Sequence, residues 1–309
     1  MHLPTALGVC LVTLGTCLIA QADPSPAPEG YIAVRNLDYA GQDNPRQKLD
    51  LYLPEKPPGK LLPLIAYIHG GGWEGGTKDD AGVTLHFIKQ GGYAGASIGY
   101  RLTNEAHWPS QVYDVKAALR WLKSHAKDHG IDPDRIALFG ISAGGHLVSL
   151  LGTSYGVKEL EGDVGKAGDS VRPVCIANFC GPANFLTFYG KGSVIDADKP
   201  NSAIAKLFGG PMSKHLEEAR AASPVTYVTK DDPPFLHMHG TADTLVPYAQ
   251  AEEFDAALDK AGVSSTLLTG KDAPHVFFSK DLIDKMQTFF DKHLQGKPGD
   301  VKQGPVAAK

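Results

Sequence analysis

The chain has 309 residues, with 30 Lys and Arg against 34 Asp and Glu and a formal net charge of −4. This balance argues against a nucleic-acid-binding domain, which is normally basic. The mean hydropathy is −0.17, and no apolar run of about 20 residues occurs beyond the N-terminal segment, which argues against a polytopic membrane protein.

Residues 1–22 are predicted to be a signal peptide. An apolar run from Ala6 to Ala20 leads into Ala20-Gln21-Ala22, which has the small-x-small pattern of a cleavage site. The run is too short to span a bilayer comfortably, although the residues before it carry no Lys or Arg. The alternatives are a retained N-terminal anchor and a lipoprotein acylated at Cys17, whose preceding Thr16 fits that motif poorly. We expect a secreted or periplasmic protein with no stable membrane span after cleavage.

Two flanking segments surround a single predicted domain. Residues 23–30 are rich in proline and predict a mobile spacer. Residues 296–309 are polar, contain Gly and Pro, and predict a flexible tail. The intervening residues 31–295 show no internal repeat and no second linker, so we expect them to form one domain.

Within this domain, short apolar runs alternate with segments of helical periodicity. Leu64 to Ile68 is continuously apolar, as in a strand covered on both faces. Predicted strands cover 31–39, 47–53, 64–68, 93–98, 135–139, 174–179, 235–238 and 265–269, and predicted helices cover 112–126, 248–261 and 281–294. This alternation predicts the α/β class, with a mostly parallel twisted sheet and helices on both faces. Ligands should then bind beyond the carboxyl ends of the strands.

A glycine-rich turn, His69-Gly70-Gly71-Gly72-Trp73, directly follows the strand predicted at 64–68. Consecutive glycines let the backbone approach a substrate closely and aim its N–H groups into a pocket. Such donors stabilise the oxyanion of an acyl transfer. Gly71 and Gly72 are candidate donors, with Ala143 as the third, and Trp73 is a candidate substrate-binding residue. The alternatives are a flexible loop or a phosphate cradle, but no phosphate-loop spacing follows.

A second turn, Gly140-x-Ser142-x-Gly144, lies between the strand at 135–139 and an apolar segment. A sharp strand-to-helix turn with glycines at these positions exposes a serine oxygen above the sheet. Ser142 is therefore a candidate nucleophile. The alternative is a glycine-rich packing turn in which the serine only caps a helix.

A serine nucleophile needs a base, and that base needs an orienting carboxylate. Asp243 follows the strand at 235–238, and His275 follows the strand at 265–269, so both lie at the expected end of the sheet. Asp272 is an alternative partner for His275. His237, His239 and Asp243 suggest a metal site, but further ligands at suitable spacing are lacking, which favours a pair of satisfied histidines at the end of the strand.

Two features lie between these turns. Cys175 and Cys180 would be roughly 16 Å apart on an extended strand, too far for a disulfide, so we expect two buried free thiols. The long segment 181–232 has no clear strand and contains several aromatic residues, namely Phe185, Phe188, Tyr189 and Phe208. We hypothesise a small cap over Ser142, and the alternative is a surface crossover of two helices.

Together these motifs resemble the α/β-hydrolase superfamily, specifically the small bacterial esterases with an HGGGW oxyanion motif, of the BD-FAE type and near the hormone-sensitive-lipase-like esterases. The resemblance extends through the stretches 100–102, 108–109, 114–122, 131–136, 222–228 and 233–235. It implies Ser142, Asp243 and His275 as a catalytic triad. It also implies structural roles for His69, Asp114 and His146.

The predicted function is that of a secreted serine carboxylesterase acting on short-chain or aryl acyl esters, including esters on oligosaccharide or polysaccharide fragments. We expect no metal, no organic cofactor and no nucleic-acid partner. An arylformamidase-like or peptidase-like amide hydrolase would use the same residues. A non-catalytic binding protein on a hydrolase scaffold is a further alternative.

Overall fold

The computed structural model describes residues 24–307, apart from 167, 169 and 189–191. The predicted signal peptide therefore lies outside the described residues. The described chain forms one nine-stranded sheet in the order β1-β2-β4-β3-β5-β6-β7-β8-β9. Its strands are β1 Tyr31–Asp38, β2 Lys48–Pro54, β3 Leu62–Ile68, β4 Ala94–Ile98, β5 Ile131–Ile141, β6 Cys175–Phe179, β7 Phe235–Gly240, β8 Ser265–Gly270 and β9 Gly304–Val306.

Only the pairs formed by β2, with β1 and with β4, are antiparallel, and all other neighbouring strands are parallel. The helices are α1 Gly82–Gly91, α2 Ser110–His125, α3 Ala143–Thr153, α4 Ala203–Phe208, α5 Leu216–Ala221, α6 Ala249–Ala261 and α7 Lys280–Gln295. A mostly parallel sheet with helices on both faces confirms the predicted α/β architecture.

Strand β3 shows how the sheet is buried on both faces. Leu64, Ala66 and Ile68 belong to one core cluster, together with apolar side chains of α2, α3 and α6. Ile65 and Tyr67 belong to a second cluster, together with side chains of α1 and α7. Successive side chains of a strand point to opposite faces, so a continuously apolar strand feeds both clusters.

Both flanking segments are tied to the domain, which differs from the mobile spacer and flexible tail that the composition predicts. The Ser25 backbone N–H and hydroxyl donate to the Asp79 carbonyl at 2.9 and 2.6 Å. Gly304–Val306 forms β9, parallel to β8. The open edge of β8 supplies hydrogen-bonding partners that the composition of the tail cannot reveal.

Asp114 makes a buried polar tie beside the sheet. Its carboxylate, in α2, accepts hydrogen bonds from the Arg101 guanidinium at 2.7 Å and from the Gln47 side-chain amide at 2.7 Å. The Arg101 backbone N–H adds a further bond at 2.9 Å. The Asp114 side chain is 0% exposed, and that of Arg101 is 24% exposed. The carboxylate therefore joins α2 to the segments that precede β2 and follow β4, a structural role as the resemblance implies.

Replacing Asp114 with Ala should lower the free energy of unfolding by about 3 kcal/mol, because Arg101 and Gln47 lose their shared acceptor. Urea unfolding measures this loss. Asp134→Ala is the matched control, since its pair with Lys123 is exposed, at 80% and 46%. That variant should change stability by less than about 0.5 kcal/mol. Equal midpoints for the two variants would contradict the importance of the buried tie.

Candidate active site

Ser142 occupies the sharp turn between β5 and α3. Its backbone has φ 57° and ψ −119°, which is strained for a residue other than glycine. The Ser142 N–H donates to the Phe179 carbonyl at 2.8 Å, and the Ser142 carbonyl accepts from the His146 N–H at 2.9 Å. These bonds on both sides hold the residue in its strained conformation at the carboxyl end of the sheet.

The two glycines of the motif are required by close backbone approach. A Cβ at Gly144 would lie 2.0 Å from the Ile68 carbonyl oxygen, and one at Gly140 would lie 2.3 Å from the Gly144 carbonyl oxygen. Both distances are far inside van der Waals contact. The Gly-x-Ser-x-Gly spacing is therefore a steric requirement of this turn.

Three side chains from three loops form one hydrogen-bonded chain. His275 Nε2 lies 2.9 Å from Ser142 Oγ, and His275 Nδ1 lies 2.6 Å from Asp243 Oδ2. Because a carboxylate only accepts, we assign the proton to Nδ1 of His275, which leaves Nε2 free to accept from the serine hydroxyl. The loops that carry these residues follow β5, β7 and β8.

The Asp243 carboxylate is fully buried and accepts four hydrogen bonds. Oδ1 accepts from the Leu245 and Val246 backbone N–H groups at 2.8 and 3.0 Å. Oδ2 accepts from His275 and from His239 Nε2, the latter at 2.9 Å. Burial opposes ionisation, but the bonds from His239 and His275 outweigh it and hold the pKa of Asp243 well below its ordinary value. Asp243 is therefore ionised at neutral pH.

His239 is a site residue that sequence reasoning assigned only to a satisfied pair with His237 or to a metal. Its Nε2 also lies 2.9 Å from the Val246 carbonyl, so one N–H serves two acceptors. His237 instead stacks on Phe235, and burial lowers its pKa to about 3. The sequence feature that could have identified His239 as a site residue is its position at the carboxyl end of β7, four residues before Asp243.

Asp272, the alternative partner for His275, is exposed. Its backbone N–H donates to Thr241 Oγ1 at 2.8 Å. His275 is oriented by Asp243 instead.

The glycine-rich turn faces Ser142 across the same cavity. The Gly71 carbonyl accepts from the Glu74 and Gly75 N–H groups at 3.1 and 2.9 Å, which closes the turn. Within the described part of the chain, the N–H groups of Gly71, Gly72 and Ala143 have no protein acceptor. They remain available to a bound oxygen.

Trp73 lines the cavity but is only 4% exposed. Its indole N–H donates to His146 Nδ1 at 3.2 Å, and His146 Nε2 donates to the Ala222 carbonyl at 2.7 Å. Burial lowers the pKa of His146 to about 4, so this ring is neutral. Any contact of Trp73 with a substrate would therefore be apolar, and His146 supports the wall from behind.

His69 lies behind the glycine-rich turn. Its ring stacks on Tyr100, with ring centroids 4.3 Å apart, and its Nδ1 lies 2.7 Å from the Gly70 carbonyl oxygen. Burial lowers the pKa of His69 to about 4, so this ring is also neutral. His69 thus supports the glycine-rich turn through Gly70 and Tyr100.

The cavity above Ser142 has a volume of about 400 Å³. Its walls are mainly aliphatic and aromatic, formed by Trp73, Ile141, Pro182, Phe188, Ile195, Ala203, Ile204, Leu245, Val246 and Val276. Glu74 also lines it, but its carboxylate is paired with Lys206 at 2.5 Å. The site therefore suits an uncharged, largely apolar group.

The segment 181–232 contributes several of these walls. It contains α4, α5 and short 3₁₀ turns, and Phe188, Ile195 and Ala203 from it line the cavity beside Ser142. The Trp108 N–H donates to the Leu207 carbonyl at 2.8 Å, which docks α4 on the domain. The segment thus forms a small cap over the site. Tyr189, one of the aromatic residues expected in it, lies outside the described residues.

Cys175 and Cys180 are buried free thiols, as predicted. Cys180 follows β6, and its Sγ lies 3.7 Å from His275 Nε2. Burial, reinforced by the Asp243 charge, raises the pKa of the Cys180 thiol well above its ordinary value. The thiol is therefore protonated at neutral pH and does not compete with Ser142 as a nucleophile.

Among the residues described, no helix combines the length and hydropathy needed to cross a bilayer.

Asp243→Asn should destabilise the protein in a pH-dependent way. A carboxylate whose pKa is lowered by folding stabilises the folded state. This stabilisation is complete at a pH above the pKa of the unfolded state, 3.8, and is lost as the pH falls through the pKa of the folded state. We expect Asp243→Asn to lower the free energy of unfolding by about 1–3 kcal/mol near pH 7, and by less near pH 3. Urea unfolding at both pH values measures this difference.

The control is Asp272→Asn, which replaces an exposed acid in the loop that carries His275. It should leave stability nearly unchanged at both pH values. A pH-independent effect of Asp243→Asn would show that its charge is not what the four donors stabilise.

Comparison with known proteins places this chain in a family. The BD-FAE family profile matches residues 49–258. Esterase LipC of Mycobacterium tuberculosis is 29% identical over 265 residues, which cover 84% of this chain and 62% of LipC. Esterase LipQ of the same organism is 28% identical, covering 78% of this chain and 56% of LipQ. The chain thus spans about three fifths of the length of these relatives.

Two solved structures resemble the fold closely. A truncated carbohydrate esterase from gut microbiota superposes with a TM-score of 0.78 at 29% identity, covering 87% of this chain and 98% of that one. Esterase B from Lactobacillus Rhamnosis superposes with a TM-score of 0.73 at 27% identity, covering 89% of each chain. Because the profile matches more than half of a chain with this fold, the protein belongs to the BD-FAE family of α/β-hydrolases.

Proposed function

We propose that the protein is a serine carboxylesterase that hydrolyses short-chain or aryl acyl esters through an acyl-enzyme. The observation that carries this proposal is the pair of hydrogen bonds that connect Ser142, His275 and Asp243. Ser142 and His275 line a mainly apolar cavity. The relatives support it, since LipC, LipQ and the two structural neighbours are all named esterases.

In the first half of the reaction, Ser142 Oγ attacks the ester carbonyl and His275 Nε2 accepts its proton. The ionised Asp243 holds the ring in place and stabilises the imidazolium that forms. The N–H groups of Gly71, Gly72 and Ala143 stabilise the oxyanion, each contributing up to about 3–4 kcal/mol. The imidazolium then donates its proton to the leaving alcohol.

In the second half, a water molecule replaces the alcohol. His275 accepts a proton from this water as it attacks the acyl-enzyme carbonyl, and the same N–H groups stabilise the second oxyanion. The imidazolium returns the proton to Ser142 Oγ, and the carboxylic acid leaves. Apart from the ester and the water, side chains and backbone N–H groups of this chain supply every group that these steps use.

The substrate class follows from the cavity walls. Aliphatic side chains suit a short acyl chain or an aromatic acyl ring, and the paired Glu74 leaves no free charge to select an ionised substrate. One structural neighbour is named a carbohydrate esterase, which supports an ester carried on an oligosaccharide or polysaccharide fragment. The N-terminal pattern at residues 1–22 supports secretion or export to the periplasm.

Ser142→Ala should lower kcat/KM for p-nitrophenyl butyrate by at least about a thousandfold, because the nucleophile is removed while the cavity is kept. The assay compares the chain starting at Asp23 with this variant. Ser149→Ala, in the same helix but with its hydroxyl bonded to the Gly145 carbonyl, should retain most activity. Equal rates for the protein and Ser142→Ala would overturn the serine mechanism.

Phe188→Ala should widen the cavity and raise the ratio of kcat/KM for octanoate over butyrate esters by about tenfold. Ala203→Leu, on the same cap, should lower that ratio, because its side chain extends into the space beside Gly72. Leu216→Ala is the control, since Leu216 is an exposed cap residue, 51% accessible. A ratio that stays constant in all three variants would show that the cap does not select the acyl chain.

A further inference from the structure

Cys180 faces the catalytic base without a part in the proposed mechanism. Its Sγ lies 3.7 Å from His275 Nε2, the nitrogen that also contacts Ser142. An oxygen of Asp243 lies within 4.8 Å of the ligand atoms of both residues. A thiol, an imidazole and a carboxylate thus converge below the cavity.

The separation of sulfur and nitrogen matches that of two ligands on one tetrahedral ion. Zinc binds sulfur at about 2.3 Å and imidazole nitrogen at about 2.0–2.1 Å, which places the two ligand atoms about 3.6 Å apart at a tetrahedral angle. The observed 3.7 Å is close to this separation. Thiolate and imidazole together favour zinc or cadmium over magnesium or calcium.

We propose that Cys180 and His275 form an inhibitory binding site for a thiophilic divalent cation such as Zn²⁺. The ion takes the lone pair of His275 Nε2 and displaces the thiol proton of Cys180 to solvent. Because Nε2 is then occupied, it cannot accept the proton of Ser142 Oγ. Bound metal and hydrolysis therefore exclude each other.

Access to His275 and the local charge both fit this site, while Cys180 is 1% exposed and lies outside the cavity wall. His275 and Ser142 line the cavity, so an ion can reach Nε2 from the mouth and keep its remaining ligands as water there. Asp243 already accepts four hydrogen bonds, so it acts as a nearby negative charge and not as a direct ligand. Two protein ligands make the binding reversible.

Ester hydrolysis in the presence of Zn²⁺ tests the proposal. The chain starting at Asp23 contains the whole described fold and only two cysteines, Cys175 and Cys180. We expect inhibition by Zn²⁺ that a chelator reverses, and no inhibition by Mg²⁺. Cys180→Ala should need at least about tenfold more Zn²⁺ for half-inhibition, since losing even an indirect partner of a metal ligand costs that much. Each variant is compared with its own rate without metal.

Cys175→Ala is the matched control, because it removes the other buried thiol, at the start of the strand that Cys180 follows. It should keep the Zn²⁺ sensitivity of the parent protein. If Cys180→Ala does not fold, as judged by urea unfolding, Cys180→Ser replaces it, since a hydroxyl is a much poorer ligand for these ions. Equal Zn²⁺ sensitivity in the parent and in the folded Cys180 variant would overturn the proposal.

A binding measurement separates this inference from the proposed esterase activity. Titration of the Ser142→Ala variant with Cd²⁺ should produce the ultraviolet cadmium–thiolate charge-transfer band, whether or not the protein hydrolyses esters. Adding Cys180→Ala should abolish the band, and adding Cys175→Ala should not. A band that depends on Cys175, or no band at all, would overturn the metal site while leaving the esterase proposal standing.

Discussion

The strained backbone of Ser142 is the constraint on which the rest of the site depends. Its positive φ points the hydroxyl away from the sheet because β5 ends one residue before it and α3 begins one residue after it. That conformation is unfavourable by about 1–3 kcal/mol, so the neighbouring structure must hold it. The Phe179 carbonyl from β6 does so directly, and the close approach of Gly144 to the Ile68 carbonyl of β3 sets the position of α3.

A second constraint is electrostatic. Asp243 must stay ionised although its side chain is removed from water, and two backbone N–H groups together with His239 and His275 satisfy it there. Three of these four donors come from the segment around Asp243 itself, so the β7 turn forms most of its own carboxylate-binding site. The fourth donor is the candidate base, which couples the charge to Ser142.

Much of the fold and of the candidate site could be predicted from the sequence, because both depend on local patterns. The continuously apolar β3 indicates a sheet that is covered on both faces. The motifs around Ser142 and Gly71 identify two loops at the carboxyl end of that sheet. Asp243 and His275 could be chosen because each follows a predicted strand. Such inferences need only residues that are neighbours along the chain.

The remaining features depend on contacts between distant segments, which no local pattern encodes. Cys180 was identified as a buried thiol, but its distance from His275 depends on how β6, β7 and β8 pack side by side. The hydrogen bonds from Ser25 to the Asp79 carbonyl also join distant segments, and they fix an N-terminal segment whose composition predicts flexibility. The cap could only be hypothesised, because its helices are too short to show a clear apolar periodicity. The contact with Trp108 that docks α4 joins segments that are distant along the chain.

Strand β9 has a consequence for association between copies of the protein. An uncovered β8 would present a row of unpaired backbone groups, which can template the addition of a strand from another molecule. Gly304–Val306 covers the last three residues of that edge, and Pro305 has no N–H to offer to a further strand. The C-terminal segment thus covers half of this edge, and detaching it would expose further backbone groups that can pair with another copy of the protein.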